Sequence, residues 1–329
     1  MANTFKALRV HEDENKQYKT TFETKSIDDL PPGDTLIKVE YSSLNYKDAL
    51  SVSGNKGVTK NYPHTPGIDA AGSIIESDNS KFKKGDKVVV TGFDLGMNTW
   101  GGYSEYIKVP SEWVLPLPEN LSFKEAMVLG TAGMTAGLSV SELLMNNIEE
   151  DGNILVTGAT GGVGLISTAI LVSQGFNVTA VTGKKDMHTL LKKIGANKII
   201  TREELQKDTN KPLLKGEYSG AIDVAGGKTL DSILKRLKFD GTATCCGLVD
   251  SPKLETTIFP FILRGIRLIG IDSAETDIKQ REKVWNMFAN EWKVNLPDEI
   301  ITECNLETLP SYINQILAGK IKGRVVVKI

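Results

Sequence analysis

The sequence predicts an α/β protein made of a β-rich part and a doubly wound parallel sheet. Three observations predict it. The first third of the chain alternates polar and apolar residues in the manner of half-buried strands. From about residue 122 onward, short apolar strands alternate with helical segments, the pattern of a parallel sheet with helices on both faces. One of the strand–helix junctions in that second part is a run of glycines. The 329 residues are enough for two hydrophobic cores.

Thr35 to Tyr41 is β-branched and alternating, and Gly72 to Glu76 reads as a second strand. Lys84-Gly85-Asp86 is a turn that leads into a strand from Lys87 to Thr91. A further strand is expected over Tyr103 to Val109, and Pro110, Pro116 and Pro118 then punctuate a loop. Ser122-Phe123-Lys124-Glu125 fits a capping box, so a helix should start there. Strands follow at Ile154–Gly158, Val178–Thr182, Lys198–Ile200, Gly220–Val224 and Thr242–Gly247, with Arg267–Ile271 as a candidate last strand. After Ala274 a helix is expected to about Trp292, and Gly323 to Ile329 closes the chain as a strand. The expected division is 1–121 and 274–329 for the β-rich domain, with 122–273 for the parallel-sheet domain.

Charge and cysteine usage narrow the classes. The 39 Lys and Arg against 41 Asp and Glu give a net charge of −2, without the basic surplus of a dedicated nucleic-acid binder. Cys245, Cys246 and Cys304 are odd in number. Two are neighbours on a strand and point to opposite faces, so no bridge is expected and a reducing, cytoplasmic setting fits. Cys245 and Cys246 read as core strand residues. The N-terminus lacks a signal-peptide pattern, and the apolar window Ile154–Val172 divides into strand, turn and helix, so no membrane span is expected.

The sharpest motif is Ile154-Leu155-Val156-Thr157-Gly158-Ala159-Thr160-Gly161-Gly162-Val163-Gly164. An apolar strand runs into glycines and then into an apolar helix. Glycine permits the tight turn and the approach of a pyrophosphate, and the helix start offers free N–H groups to it. This is the Rossmann pattern of dinucleotide binding, expected to engage Thr160, Gly161, Gly162, Val163 and Gly164. At the end of the next strand an NAD site places a carboxylate for the ribose 2′-hydroxyl. Here that place is Val181-Thr182-Gly183-Lys184-Lys185, with no carboxylate before Asp186. Hydroxyl and amine groups suit a 2′-phosphate, so NADPH is the expected cofactor, with Thr182, Gly183 and Lys184 as its contacts. The alternative is that the lysines decorate a solvated helix start. Arg202, just past the third strand, could also reach the adenosine phosphate, against the alternative that it is a surface charge. No two of His11, His64, His188 and the cysteines have zinc-ligand spacing.

These segments resemble the medium-chain dehydrogenase/reductase superfamily in its zinc-free quinone-oxidoreductase branch. More narrowly, the chain is similar to the acrylyl-CoA reductase / quinone oxidoreductase family. Ser43-Leu44-Asn45-Tyr46-Lys47-Asp48-Ala49, Pro66 to Gly72, Trp100 to Tyr106, Gly130-Thr131-Ala132-Gly133, Pro260 to Gly265, Gly270 to Ser273 and Gly323-Arg324 carry the resemblance. It implies a GroES-like catalytic domain built from both chain ends, a Rossmann domain between them in sequence, and a substrate cleft between the two. It also implies a homodimer that pairs the last Rossmann strands near Leu268–Ile271. Zinc-dependent relatives carry Gly-His-Glu where this chain has Gly67-Ile68-Asp69, and a cysteine within the segment matching Leu44-Asn45-Tyr46. Without those ligands no catalytic metal is expected.

The implied reaction is hydride transfer from NADPH to an activated alkene, such as the enoyl thioester acrylyl-CoA, or to a quinone. Charge that builds on the thioester oxygen requires a donor. Tyr46 is the candidate, against the alternative that it packs at the domain boundary. By resemblance, Asn45 orients the nicotinamide ribose or carboxamide, and Thr131, Leu248, Ile262 and Ser273 lie along the cofactor. By resemblance Arg324 pairs with Asp69 while facing the pyrophosphate, against the alternative of an ordinary fold-stabilising pair, and Lys47 with Asp48 forms a local ion pair. A non-catalytic role is the third class considered: some relatives serve as lens proteins or bind RNA. The near-neutral charge disfavours RNA.

Overall fold

The computed structural model describes residues 4–146, 148–149, 152–292, 294 and 296–329. The chain forms two compact units, Met1–Thr131 with Ala274–Ala289 and Glu299–Ile329, and Ala132–Ser273 with Asn290–Asp298. The strands are β1 (Thr4–Glu12), β2 (Tyr18–Ser26), β3 (Thr35–Ser43), β4 (Asp69–Ser77), β5 (Lys87–Thr91), β6 (Tyr106–Val109), β7 (Leu115–Pro116) and β8 (Asn153–Val156). They continue with β9 (Asn177–Val181), β10 (Lys198–Ile200), β11 (Tyr218–Asp223), β12 (Leu237–Cys245), β13 (Arg267–Gly270), β14 (Ile301–Asn305) and β15 (Arg324–Lys328). The helices are α1 (Tyr46–Val52), α2 (Phe123–Met145), α3 (Gly162–Ser173), α4 (His188–Ile194), α5 (Arg202–Leu205), α6 (Gly227–Leu234), α7 (Phe259–Arg264), α8 (Ile278–Asn290) and α9 (Leu309–Leu317).

In the first unit the main sheet runs β14-β15-β3-β4-β5-β7, with β6 also paired to β3. Alternation along β3, β4, β5 and β6 places Ile37, Val39, Ala70, Ile74, Val88, Val90, Ile107 and Val109 in one cluster of buried apolar side chains. Because β3 is antiparallel to both β4 and β15, its last residue, Ser43, comes to lie near the first residues of both, Asp69 and Arg324. This convergence positions the polar site described below. The hairpin β1–β2, with Leu8 and Val10 in the core, was not read from the sequence.

Several bounds differ from those expected, for local reasons. The strand expected from Tyr103 begins at Tyr106, because Gly101 and Gly102 lie against Gly67 and Asp69. The first unit extends past residue 121 to Thr131. The start of α2 gives the Met127, Val128 and Leu129 carbonyls to the Arg324 guanidinium of the same unit. The Ser122 capping box is present: Glu125 accepts from the Ser122 N–H at 2.8 Å and Ser122 Oγ from the Glu125 N–H at 3.2 Å. The α8 helix joins this unit through buried Arg281, which donates to the Thr91 and Ala274 carbonyls and lies over the Phe93 ring.

In the second unit all strands are parallel, in the order β10-β9-β8-β11-β12-β13. The order reverses on either side of β8, so the crevice beyond the carboxyl ends of β8 and β11 is the topological switch point where ligands bind in such sheets. The α3 helix is buried from Gly164 to Leu171, as its apolar sequence requires. The apolar window Ile154–Val172 is thus β8, turn and α3. The α2 helix has the length and hydropathy of a membrane span, but 72% of that stretch is buried inside the protein.

Candidate active site

The glycine motif forms the turn from β8 into α3. A Cβ on Gly164 would sit 2.4 Å from the Gly158 carbonyl oxygen, so only glycine lets the helix seat against the turn. The turn is braced from below: Thr157 Oγ donates to Asp223 Oδ1 at 2.7 Å and accepts the Val224 N–H at 2.9 Å. Burial pushes the Asp223 carboxyl up, while these donors and the Ala225 and Gly226 N–H groups pull it back. Gly161 is the N-cap of α3 and supplies no side-chain acceptor, so the N–H groups of the first turn are left without a side-chain cap. Open space surrounds Gly161, where a Cβ would meet only the Gly158 oxygen, at 3.4 Å.

Thr160, Gly161, Gly162, Val163 and Gly164 share this edge of the sheet with the end of β9. Thr160 Oγ lies 3.4 Å from Thr182 Oγ, and the Thr182 N–H donates to the Ile200 carbonyl at the end of β10. Thr182 Oγ accepts the Lys184 N–H at 3.1 Å, which shapes the turn, and nothing lies within 4 Å of where a Gly183 Cβ would be. Arg202 opens α5 one residue past its N-cap Thr201, beside this turn. Its side chain is half exposed and 3.7 Å from Asp250.

Beyond the switch point, the ends of β12 and β13 frame a depression of about 460 Å³ lined by Cys245, Cys246, Gly247, Leu248, Gly270, Ile271 and Asp272. Cys245 ends β12 and packs against the core of the sheet, as expected, while Cys246 lies one residue past the strand; both are half-buried at the wall and unbridged. Burial pushes the Cys246 thiol up to about 12, so it is not a nucleophile. Leu248 projects at the rim, 62% exposed. Ser273 Oγ accepts from Thr135 Oγ at 2.7 Å, which fixes it just past β13. Ile262 is not brought into this group by any contact: it stands 65% exposed on α7, beside exposed Leu263.

The first unit holds a different kind of site, a buried polar network centred on Asp69. Asp69 Oδ2 accepts from Ser43 Oγ at 2.6 Å, Asn45 Nδ2 at 2.7 Å and the Thr131 N–H at 2.9 Å, and Oδ1 accepts from Thr131 Oγ at 2.6 Å. Gly130 makes the approach possible. It has φ 50° and ψ −150°, and a Cβ there would lie 2.4 Å from Asp69 Oδ2. Arg324, only 3% exposed, donates through Nε to Val128 O, through Nη1 to Leu44 O and Asn45 Oδ1, and through Nη2 to Ser43 Oγ and the Met127 and Leu129 carbonyls. Every N–H of the guanidinium has a partner inside the unit. This saturation favours the alternative of a fold-stabilising tie to Asp69, which runs through Ser43 and Asn45. Asn45 belongs to the same frame: both its amide N–H groups are engaged, by Ser43 Oγ and Asp69 Oδ2.

Asp48 was expected to pair with Lys47, and no such pair exists among the described residues. Asp48 is fully buried at the third position of α1, accepting the Asn45 N–H and the Ile68 N–H at 2.8 Å each. Burial, and then the nearby Asp69 charge, push its carboxyl up to about 7. The Asn45-x-x-Asp48 spacing of a helix start was the signal that could have revealed it. Tyr46, the first residue of α1, is held by this frame yet is 46% exposed, and its hydroxyl makes no hydrogen bond to any described residue.

A GroES-like unit with a buried polar frame, joined in one chain to a Rossmann unit with an open glycine turn, is the make-up of a medium-chain dehydrogenase/reductase. Residues 31–119 match the alcohol dehydrogenase GroES-like domain family and residues 162–290 the zinc-binding dehydrogenase family. Within that superfamily the chain belongs to the quinone oxidoreductase/AcuI family. It is 42% identical over 334 residues to the quinone oxidoreductase YhfP of Bacillus subtilis, with 100% of both chains covered. To the acrylyl-CoA reductase AcuI of Ruegeria pomeroyi it is 39% identical over 327 residues, covering 99% of each. The yhdH oxidoreductase of Salmonella enterica, solved in complex with NADP, matches with a TM-score of 0.95 at 37% identity, over 98% of this chain and 99% of that one. The YhfP structure, solved with NAD bound, matches with a TM-score of 0.95 at 41% identity over 100% of both.

The name of the second matching family raises the question of zinc. The position that would carry the histidine ligand is Ile68, 3% exposed, and the segment that would carry the cysteine is Leu44-Asn45-Tyr46. The neighbouring carboxylate, Asp69, already accepts four hydrogen bonds. Among the described residues no three His, Cys, Asp or Glu are grouped to hold a metal ion. The donor set does not fit a catalytic zinc.

Proposed function

We propose that the protein is a zinc-independent, NADPH-dependent reductase of activated alkenes, with a short-chain enoyl thioester such as acrylyl-CoA as substrate. The observation that carries the cofactor choice is the end of β9, where Thr182, Gly183 and Lys184 form a turn that itself holds no carboxylate, with Arg202 just past the end of the paired strand β10. In this reading the uncapped start of α3, from Gly161 to Gly164, receives the pyrophosphate, and Thr160 lines the turn. Thr182, Gly183, Lys184 and Arg202 receive the 2′-phosphate, while Leu248 and Ser273 flank the nicotinamide half. The naming of the Salmonella complex for NADP and of the Ruegeria relative for acrylyl-CoA supports the reading.

Bound NADPH supplies the hydride. The protein contributes orientation and a donor. Thr131, with its N–H and hydroxyl fixed on Asp69, would stand beside the nicotinamide in a set orientation. Asn45, Arg324 and Asp48 hold the frame on which Tyr46 is mounted, and the unpartnered Tyr46 hydroxyl is the group available to donate to the thioester oxygen as charge builds there. A quinone is the second reading, favoured by the name of the Bacillus relative. We also propose a homodimer: β13 ends the six-stranded sheet, and Ile258, Ile262 and Leu263 stand exposed on and beside α7. Sedimentation at a single-chain mass would refute the dimer.

The test of function follows NADPH oxidation with acrylyl-CoA and a benzoquinone side by side, with NADH as control. Turnover of acrylyl-CoA should fall about 10²-fold in kcat in Tyr46→Phe, the effect of removing one oxyanion donor, with the folded state unchanged. Turnover of the quinone alone would replace the first reading by the second. Equal use of NADH would overturn the assignment of the β9 turn.

A further inference from the structure

Asp250 lies in the loop after β12, far in sequence from the glycine turn, and it is held more rigidly than an exposed loop acid requires. Its N–H donates to the Ala225 carbonyl at 2.8 Å. Its Oδ2 accepts both the N–H of Thr229, at 3.2 Å, and the Thr229 hydroxyl, at 2.8 Å, which anchors the carboxylate in the first turn of α6. Gln206, the C-cap of α5, donates to the same Thr229 hydroxyl at 3.1 Å, so α5 and α6 are tied through this one threonine. The remaining oxygen, Oδ1, faces Arg202 Nη1 at 3.7 Å, too far for a hydrogen bond and close enough for charge attraction. The guanidinium itself donates to no described residue.

We infer that Asp250 is a specificity-determining residue that acts through Arg202 and lowers the preference for NADPH over NADH. The inference rests on the proposed role of Arg202 at the 2′-phosphate. A dianionic phosphate at Arg202 must share the guanidinium with a carboxylate that its bonds to Thr229 keep from swinging away. The uncharged 2′-hydroxyl of NADH meets no such competition. Asp250 therefore opposes one cofactor and is indifferent to the other. Because Arg202 is half exposed and Asp250 only partly buried, the effect has the size of a surface ion pair, about two- to fivefold in Kd, and salt should screen it.

The experiment measures Kd for NADPH and for NADH on the full chain, as wild type, Asp250→Asn, Arg202→Gln and the double variant, at low salt and at about 0.5 M NaCl. Asparagine keeps an oxygen for the Thr229 donors and removes only the charge. Asp250→Asn should tighten NADPH about two- to fivefold at low salt and leave NADH unchanged. The gain should shrink in high salt and vanish when Arg202 is Gln. Unchanged or weaker NADPH binding in Asp250→Asn overturns the inference, as does an equal shift for both cofactors, which would trace to the α6 start instead. Arg202→Gln separates the two levels. If it weakens NADPH alone, the reading of Arg202 stands whatever Asp250 does; if it changes neither cofactor, that reading falls and takes the inference with it.

Discussion

The polar frame around Asp69 and the glycine edge of the parallel sheet are both built from groups that water would otherwise satisfy, and they treat those groups in opposite ways. Around Asp69 nothing is left over: the carboxylate accepts four bonds, and Arg324, 3% exposed, has a partner for every N–H. At the edge, the start of α3 has no side-chain cap, the space beside Gly183 is empty, and the Arg202 guanidinium has a charge nearby without a hydrogen bond. A saturated network holds other residues in place, and an unsaturated one awaits a ligand. The contrast separates positioning residues from contact residues within a list that a sequence motif presents as uniform. Tyr46 stands out because it combines both: its backbone belongs to the saturated frame and its hydroxyl bonds to no described residue.

The largest effect should come from breaking the saturated side. Arg324→Met leaves the Asp69 carboxylate buried with no cation nearby and should lower the free energy of unfolding by about 3–5 kcal/mol, read by urea titration. A loss of NADPH affinity with stability unchanged would instead restore Arg324 to the cofactor site. A smaller effect of the opposite kind is expected from Gly161→Ala. The site has room for a methyl at the cap, with φ −90°, so stability should move by less than about 0.5 kcal/mol while NADPH binds about tenfold more weakly. Calorimetric titration and a melting curve on the same sample decide it, and a fall in Tm with unchanged affinity would break the contrast.

A third expected effect is a pH slope. The Asp48 carboxyl, near 3.8 when unfolded, is pushed up to about 7 in the fold. Between those values the folded state binds more protons than the unfolded one, so the contribution of Asp48 is fully present below about pH 4 and is lost as pH rises through about 7. Wild-type unfolding midpoints should therefore fall relative to those of Asp48→Asn as pH rises across this window. Parallel pH curves for the two proteins would show that Asp48 is ionised throughout.

Much of this protein was determined by sequence alone. The alternation at Thr35–Tyr41 gave β3, the Ser122-x-x-Glu125 box started α2, and the strand–glycine–helix run at Ile154–Gly164 gave the cofactor turn, because each is a local pattern whose physics acts within a few residues. The missing acid after β9 was equally local, and so was the absence of His and Cys at Ile68 and Leu44–Tyr46. The roles of Arg324, Asn45 and Asp48 were decided by tertiary structure. Arg324 is separated by nearly two hundred residues from the α2 carbonyls it binds, and only the antiparallel pairing of β3 with β4 and β15 brings Ser43, Asp69 and Arg324 together. Whether a polar group is engaged or left open depends on neighbours that come from distant segments, and no spacing rule encodes them. The Arg202–Asp250 pair joins the ends of different strands for the same reason: parallel strands linked by crossovers gather their carboxyl ends at one edge, and only the folded sheet sets which residues meet there.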